Sequence, residues 1–238
     1  MAENQPNDKA VKVGARVYTP LMLPAYDFWV LWISNKFVWK CPTDEVQVPF
    51  FQSALSRTHL DIGVGTGYIP AKALDPSGCQ EITLVDLNQN TLSTAKARIE
   101  SANSTVKVKT LLANALEPLP LPESEKFDSI SLCYLLHCLP GSPDSKTRVF
   151  DHVKPHLARD GILIGWTILG KETPMNCFAR VLMRSYNKIG IFSNWDDNLA
   201  AFEQGLKRNF EEVEVWTAGR VCMFKARNPL DSPIQARS

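Results

Sequence analysis

A chain of 238 residues, 45% hydrophobic and 21% charged, has the length and composition of one large globular domain, or of a domain with a small appendage. Its 26 basic and 25 acidic residues leave a formal net charge of +1, and there is no basic run or RNA-type aromatic motif, which argues against nucleic acid as a partner. No stretch approaches the roughly 20 apolar residues of a membrane span. The six cysteines show no CxxC or paired metal spacing; reduced thiols, no metal and a cytoplasmic location are therefore expected.

In chain order, residues 1–14 are polar and expected to be disordered, like the tail at 229–238. Residues 15–56 form an expected N-terminal helical cover. Tyr18, Tyr26, Phe28, Trp29, Trp32, Phe37 and Trp39 crowd its first part, and Trp29, Trp32 and Ile33 recur at helical spacing. Such aromatics pack a helix onto a core; their density also suits a cover over an apolar ligand.

From residue 57 to 228 strands and helices alternate. "THLDIG", "EITLVDLN", "TVKVKTLLANA", "KFDSISLCYLL" and "DGILIGWTIL" read as five strands. The intervening "YIPAKAL", "QNTLSTAKARIE" and "SKTRVFDHVKPHLA" read as helices, the last one despite Pro155. Residues 172–192 read as an amphipathic helix within an insertion at about 172–195, and "WDDNLAAFEQGLKRNF" as another helix. "EEVEVWTAG" and "RVCMFKAR" are two strands joined by a tight turn, too close for a crossover helix and therefore antiparallel. The expectation is an α/β fold: a doubly wound, seven-stranded, mostly parallel sheet with an antiparallel last strand pair, plus the helical cover.

The chemistry concentrates in "HLDIGVGTGY", where Gly63, Gly65 and Gly67 follow a strand. Ligands bind outside the carboxyl ends of such strands, at the switch point of the sheet. The dinucleotide fingerprint G-x-G-x-x-G would need a third glycine where Tyr68 stands. Asp86 ends the second strand, where an acid takes both hydroxyls of a ribose. Asp61, ahead of the glycines, would face a cationic group and not a pyrophosphate. A ligand with an adenosine, a ribose diol and a cationic amino acid tail is S-adenosylmethionine.

"LDIGVGTGY", "LVDLN", "ANAL" and "FDSISLCYLLHCL", in that order, resemble the motifs of the Rossmann-like (class I) S-adenosylmethionine-dependent methyltransferases of small-molecule type, over about residues 43–225. The resemblance implies that Gly63, Gly65 and Gly67 line the methionine moiety and that Asp61 helps hold its amino group. It implies Asp86 on the ribose, Leu87 on the adenine, Asn114 on the adenine amino group with Ala115 beside it, and Cys133 and Tyr134 under the sulfonium. Many relatives carry Asp where Asn114 stands.

Methyl transfer is an in-line displacement, so alignment contributes most of the rate, and a base helps if the acceptor is a hydroxyl. Among His59, His137, His152 and His156, only His137 follows the fourth strand at the ligand edge; it is the candidate base, or a histidine fixed there for structural reasons. Methyltransferases acting on phosphoethanolamine resemble this arrangement and pair such a His with an N-terminal Tyr. Tyr18 is named for that role, and Tyr26 and Trp29, with Met175, Phe178 and Leu182 of the insertion, for the substrate wall; which tyrosine points inward stays open. Such a wall suits a small, mainly apolar hydroxylated metabolite such as a polyketide or phenol. The rivals are a cofactor-binding protein catalysing a non-methylating rearrangement or cyclisation, a non-catalytic scaffold, and a nucleotide-dependent oxidoreductase, which Asp61 and Tyr68 oppose.

Overall fold

The computed structural model describes residues 28–74 and 78–231, with the backbone alone for residues 28–32. The cover opens with α1, Phe28–Val38, which coils with π-type i→i+5 bonding that continues past its end as Trp39 N–H to Ser34 O. A second π-type turn, Thr43–Gln47, runs straight into α2, Val48–Ala54. Thr43 begins that turn, but its side chain makes no cap bond there; it accepts from Asn35 instead.

The alternating part follows as β1 (Thr58–Ile62), α3 (Tyr68–Ala73), β2 (Glu81–Asp86), α4 (Gln89–Ala102), β3 (Lys107–Leu112) and β4 (Phe127–Cys133). α4 starts where Asn88 accepts the Asn90 N–H at 2.9 Å, and it buries Leu92, Ala95 and Ile99, one helical stripe, against the sheet. Burial of the two larger side chains stabilises by roughly 1.5–3 kcal/mol each. The helix expected over residues 145–158 is broken into α5 (Pro143–Lys146), α6 (Arg148–Val153) and a 3-10 turn, Lys154–His156. Pro155 explains the last break, since it lacks an N–H and collides with the preceding turn. β5 (Leu157–Ile168) then begins earlier than expected: a bulge lies between the Phe127↔Leu157 and Ser129↔Ile162 pairings.

The insertion contains α7, Cys177–Lys188, shorter than the expected helix, and it is followed by α8, Leu199–Lys207. Asn176 and Asn198 cap them by accepting from Ala179 N–H and Ala201 N–H. The chain closes with β6 (Phe210–Ala218) and β7 (Val221–Pro229), joined by a two-residue Gly219–Arg220 turn with glycine at its first position, as such hairpins require. Pairing reaches Pro229, and Leu230 N–H still bonds to Asn209 O, so the folded part extends past residue 228.

The sheet order is β3-β2-β1-β4-β5-β7-β6. All neighbours up to β5 are parallel, and β7 runs antiparallel to both β5 and β6. Strand order reverses between β1 and β4, which places the switch point beside Asp61 and the glycine turn. One core packs Phe51, Trp39, Trp166 and the helices α3 and α4 on one face. The other packs Leu60, Ile62, Phe150, Phe202 and Phe224 on the opposite face. Side chains along β1 alternate between the two, as a doubly covered strand must.

Candidate functional site

The turn after β1 is shaped by three glycines with φ of 76°, 57° and 71° at Gly63, Gly65 and Gly67. Two of them have different tasks. A Cβ on Gly67 would lie 2.8 Å from Ala95 Cα, so this glycine lets α4 close on the turn. A Cβ on Gly65 would meet nothing within 4 Å, so this glycine leaves open space at the ligand edge. Its N–H bonds to Asp86, which also accepts from Leu87 N–H and, at 2.9 Å, from Asn88 N–H. Burial nevertheless pushes the Asp86 carboxyl up to about 6.

Asp61 is 2% exposed and accepts a hydrogen bond from Ser131 Oγ on the neighbouring β4. Burial first, and the Asp86 charge in addition, push it up to about 7 against the lowering effect of Ser131. Two carboxylates thus flank a turn of bare backbone, both short of compensating positive charge. A ligand carrying a cation and a diol would supply what each lacks. S-adenosylmethionine carries both, and the open space at Gly65 accommodates close approach; the residues present fit this cofactor.

Around this centre, Leu87 is 38% exposed at the end of β2. Asn114 follows β3; its Oδ1 accepts from Leu116 N–H and its Nδ2 donates to Glu117. The amide oxygen is therefore already engaged in a turn, with one lone pair left for a ligand. Ala115 is buried, and its carbonyl meets His152 Nδ1 at 3.1 Å. Cys133 ends β4. Tyr134 next to it has φ of 56°, a left-handed backbone uncommon outside glycine and a local strain at the ligand edge.

His137 lies in the short turn Leu136–Cys138, 3% exposed, with Nδ1 3.3 Å from Thr167 Oγ1. It meets Phe192 edge-to-face at 4.5 Å and Tyr134 at 5.4 Å. Burial, aided by the Lys146 charge, holds its imidazole down to about 3, so the ring is neutral at working pH. Of the other histidines, His59 is buried in β1 and His156 bonds to Glu125 O.

The structure joins the cover and the insertion to this edge through polar groups that the sequence does not mark. Asn35 donates to Thr43 and Gln47, Gln47 donates to Tyr134 Oη at 2.6 Å, and Tyr134 donates back to Asn35 at 2.9 Å. This closed ring fastens α1 to the end of β4. On the other side Lys146, 0% exposed, bonds both oxygens of Asp197 at 2.8 and 2.7 Å, and the Ser193 carbonyl. Ser193 N–H in turn bonds to the His137 carbonyl. Arg220 in the β6–β7 turn donates to Pro174 O and Val38 O, and its N–H bonds to Trp39 O.

Met175 and Leu182 are half-buried and pack against the core, while Phe178 is 60% exposed. Tyr18, Tyr26 and the Trp29 side chain lie outside the described residues. Among the described residues no helix is long and apolar enough to cross a membrane, and no group of three or more His, Cys, Asp or Glu could hold a metal ion.

Residues 60–163 match a family model described as a methyltransferase domain. An O-methyltransferase of Aspergillus niger is 50% identical over 179 residues, covering 74% of this chain and 92% of that protein. The physcion biosynthesis cluster O-methyltransferase of Aspergillus chevalieri is 44% identical over 216 residues, covering 91% and 95%. Among solved structures, a phosphoethanolamine N-methyltransferase of Haemonchus contortus, in complex with phosphomonomethylethanolamine and S-adenosylhomocysteine, superposes with a TM-score of 0.68 at 18% identity. It covers 93% of this chain, which spans 60% of its length, and it shares the fold.

Proposed function

Because this chain belongs to the class I S-adenosylmethionine-dependent methyltransferases, we propose that it methylates a hydroxyl of a small, mainly apolar metabolite, in the cytoplasm. The observation that carries the cofactor half is the turn between Asp61 and Asp86, where bare backbone at Gly65 stands between two under-compensated carboxylates. The acceptor half is supported by the apolar wall and by relatives named O-methyltransferases, one of them from a physcion biosynthesis cluster.

S-adenosylmethionine supplies an activated methyl group on a sulfur that leaves readily. The chain has to hold it, orient the acceptor and exclude water. Asp86 would accept from the ribose hydroxyls, and Asp61 would accept from the amino group. Gly63, Gly65 and Gly67 allow the tail to lie against the backbone. Leu87 would pack on the adenine, and Asn114, beside Ala115, would meet its amino group. Cys133 and Tyr134 form the floor at the end of β4. For the acceptor wall the proposed residues are Tyr18, Tyr26 and Trp29 of the N-terminal segment and Met175, Phe178 and Leu182 of the insertion.

Two roles are proposed for His137. As a base it takes the acceptor proton; as a positioning residue it fixes the angle between Tyr134 and the insertion. Its burial, its depressed basicity and its edge-to-face contacts with Phe192 and Tyr134 favour the second. An acceptor that is already acidic, such as a phenol, then needs alignment more than a base. The test is incubation with methyl-labelled cofactor and a panel of phenols and apolar alcohols. Label in the ether product is expected. A changed product without label would assign the chain to rearrangement chemistry, and no product with any acceptor to a scaffold role.

A further inference from the structure

β1 and β4 carry a strip of polar side chains on one face where every neighbour is apolar. The register pairs His59 with Ser129 and Asp61 with Ser131. On the same face Ile82 and Leu84 flank the strip from β2, and Ile162 and Ile164 from β5. Phe51 covers His59 edge-to-face at 5.1 Å. All four polar residues are buried. Four such groups at the centre of a sheet cost stability unless each is bonded, so their satisfaction is informative.

Each bond in the strip has one direction when Asp61 is charged. A carboxylate only accepts, so the Ser131 hydroxyl donates to Asp61 Oδ1. Ser131 has then spent its hydrogen and must accept from His59 Nε2, 2.9 Å away. The neutral ring leaves Nδ1 as acceptor, and Ser129 Oγ donates to it over 2.7 Å. Ser129 Oγ accepts in turn from Ser56 N–H at 3.1 Å. The chain starts on a fixed backbone amide and ends on the acid beside the glycine turn. Among the described residues Ser131 is the one hydrogen-bond donor to Asp61, and Oδ2 is left for a ligand.

We infer that Ser131, and His59 behind it, are positioning residues for the cofactor: they hold Asp61 as a charged acceptor with Oδ2 free for the ligand's ammonium group. The inference rests on the cofactor reading above. Without Ser131 the buried carboxylate keeps every influence that favours its protonated form. The titratable groups facing it are Asp86 from β2, Cys133 from β4 and His59 on its own strand. Asp86 opposes its charge, and His59 stays neutral, pushed by burial down to about 3. A protonated Asp61 releases this constraint: with the proton on Oδ1 it donates to Ser131, and with the proton on Oδ2 it covers the acceptor left for the ligand. With Asp61 charged, His59 must carry its proton on Nε2.

The experiment is titration calorimetry of the full chain with S-adenosylhomocysteine, which keeps the amino group, from about pH 5.5 to about pH 8. Affinity of the natural protein is expected to rise with pH up to about 7, because a protonated Asp61 must lose its proton before it can face an ammonium. Ser131→Ala is expected to lag by about one pH unit, binding about tenfold more weakly near pH 6 and almost normally near pH 8, with Ser131→Thr restoring the profile. Equal profiles for Ser131→Ala and the natural protein would overturn the inference while leaving the cofactor reading intact. No binding by the natural protein at any pH would overturn both. A second measurement stands independent of folding in the variant: nitrogen NMR of the natural protein with S-adenosylhomocysteine near pH 8 should show His59 protonated at Nε2. Protonation at Nδ1 there would reverse the chain and overturn the inference.

Discussion

Between Asp61 and Asp86 the ligand edge consists of positive-φ glycines and two carboxylates, supplied by two adjacent βα units. Beyond His137 the edge is bordered by α1, the insertion around α7 and the terminal hairpin, segments far apart in the chain and fastened by polar bonds. The difference matches the two ligands. A cofactor that never varies can be gripped by local backbone, whose geometry the sheet imposes. On the proposed function the acceptor would be met by the cover and the insertion, and these need long-range fasteners because no strand pairing holds them.

The contrast breaks most visibly at the fasteners. Asp197→Ala leaves the Lys146 ammonium buried beside one carbonyl, and a loss of about 3–5 kcal/mol in denaturant unfolding is expected. Asp197→Ala paired with Lys146→Met should recover much of it; a single variant as stable as the natural protein would mean the pair fastens nothing. Asp86→Ala should do the reverse. It should spare stability and weaken S-adenosylhomocysteine binding by roughly tenfold to a hundredfold, the range for a charge-assisted hydrogen bond of about 1.5–3 kcal/mol.

A finer test is Gln47→Leu. It opens the ring with Asn35 and Tyr134, costing about 1–3 kcal/mol for the polar groups left behind. It should raise the acceptor KM and leave the cofactor Kd alone, and a change confined to the cofactor Kd would erase the boundary drawn here. The smallest effect is expected at His137. Because its imidazole stays neutral down to about 3, the neutral form is not lost as pH falls through the ordinary histidine range, and the rate should show no histidine step near pH 6.5. His137→Gln should lower kcat by less than about tenfold on a phenol, whereas a loss of roughly 10²–10⁴-fold would identify a base.

What the chain disclosed before folding follows the same divide. The glycine turn, Asp61 and Asp86 are legible because local backbone chemistry demands those residue types at that spacing. The seven strands and the antiparallel end are legible through period-two patterns and short connections. The break at Pro155 is legible in principle, yet the apolar periodicity around it suggests one helix. Asn35, Gln47, Lys146, Asp197 and Arg220 carry no local sign of their roles. Each looks like an ordinary surface residue until distant segments meet, since a bond spanning 87 positions between Gln47 and Tyr134 leaves no spacing to read. The polar strip is half visible: "THLDI" and "FDSIS" place small polar residues where strand alternation calls for apolar ones.

The Gly219–Arg220 turn bears on how such enzymes diversify. A Cβ at Gly219 would lie 2.4 Å from the carbonyl oxygens of Trp39 and Lys40, and the Arg220 guanidinium reaches both the cover and the loop before α7. One hairpin tip thus serves as a common keystone for the cover and the insertion. Transplanting either segment alone from a relative would leave it facing a mismatched keystone. On the proposed function, the cover, the insertion and the last two strands would accordingly have to be exchanged together to change the acceptor.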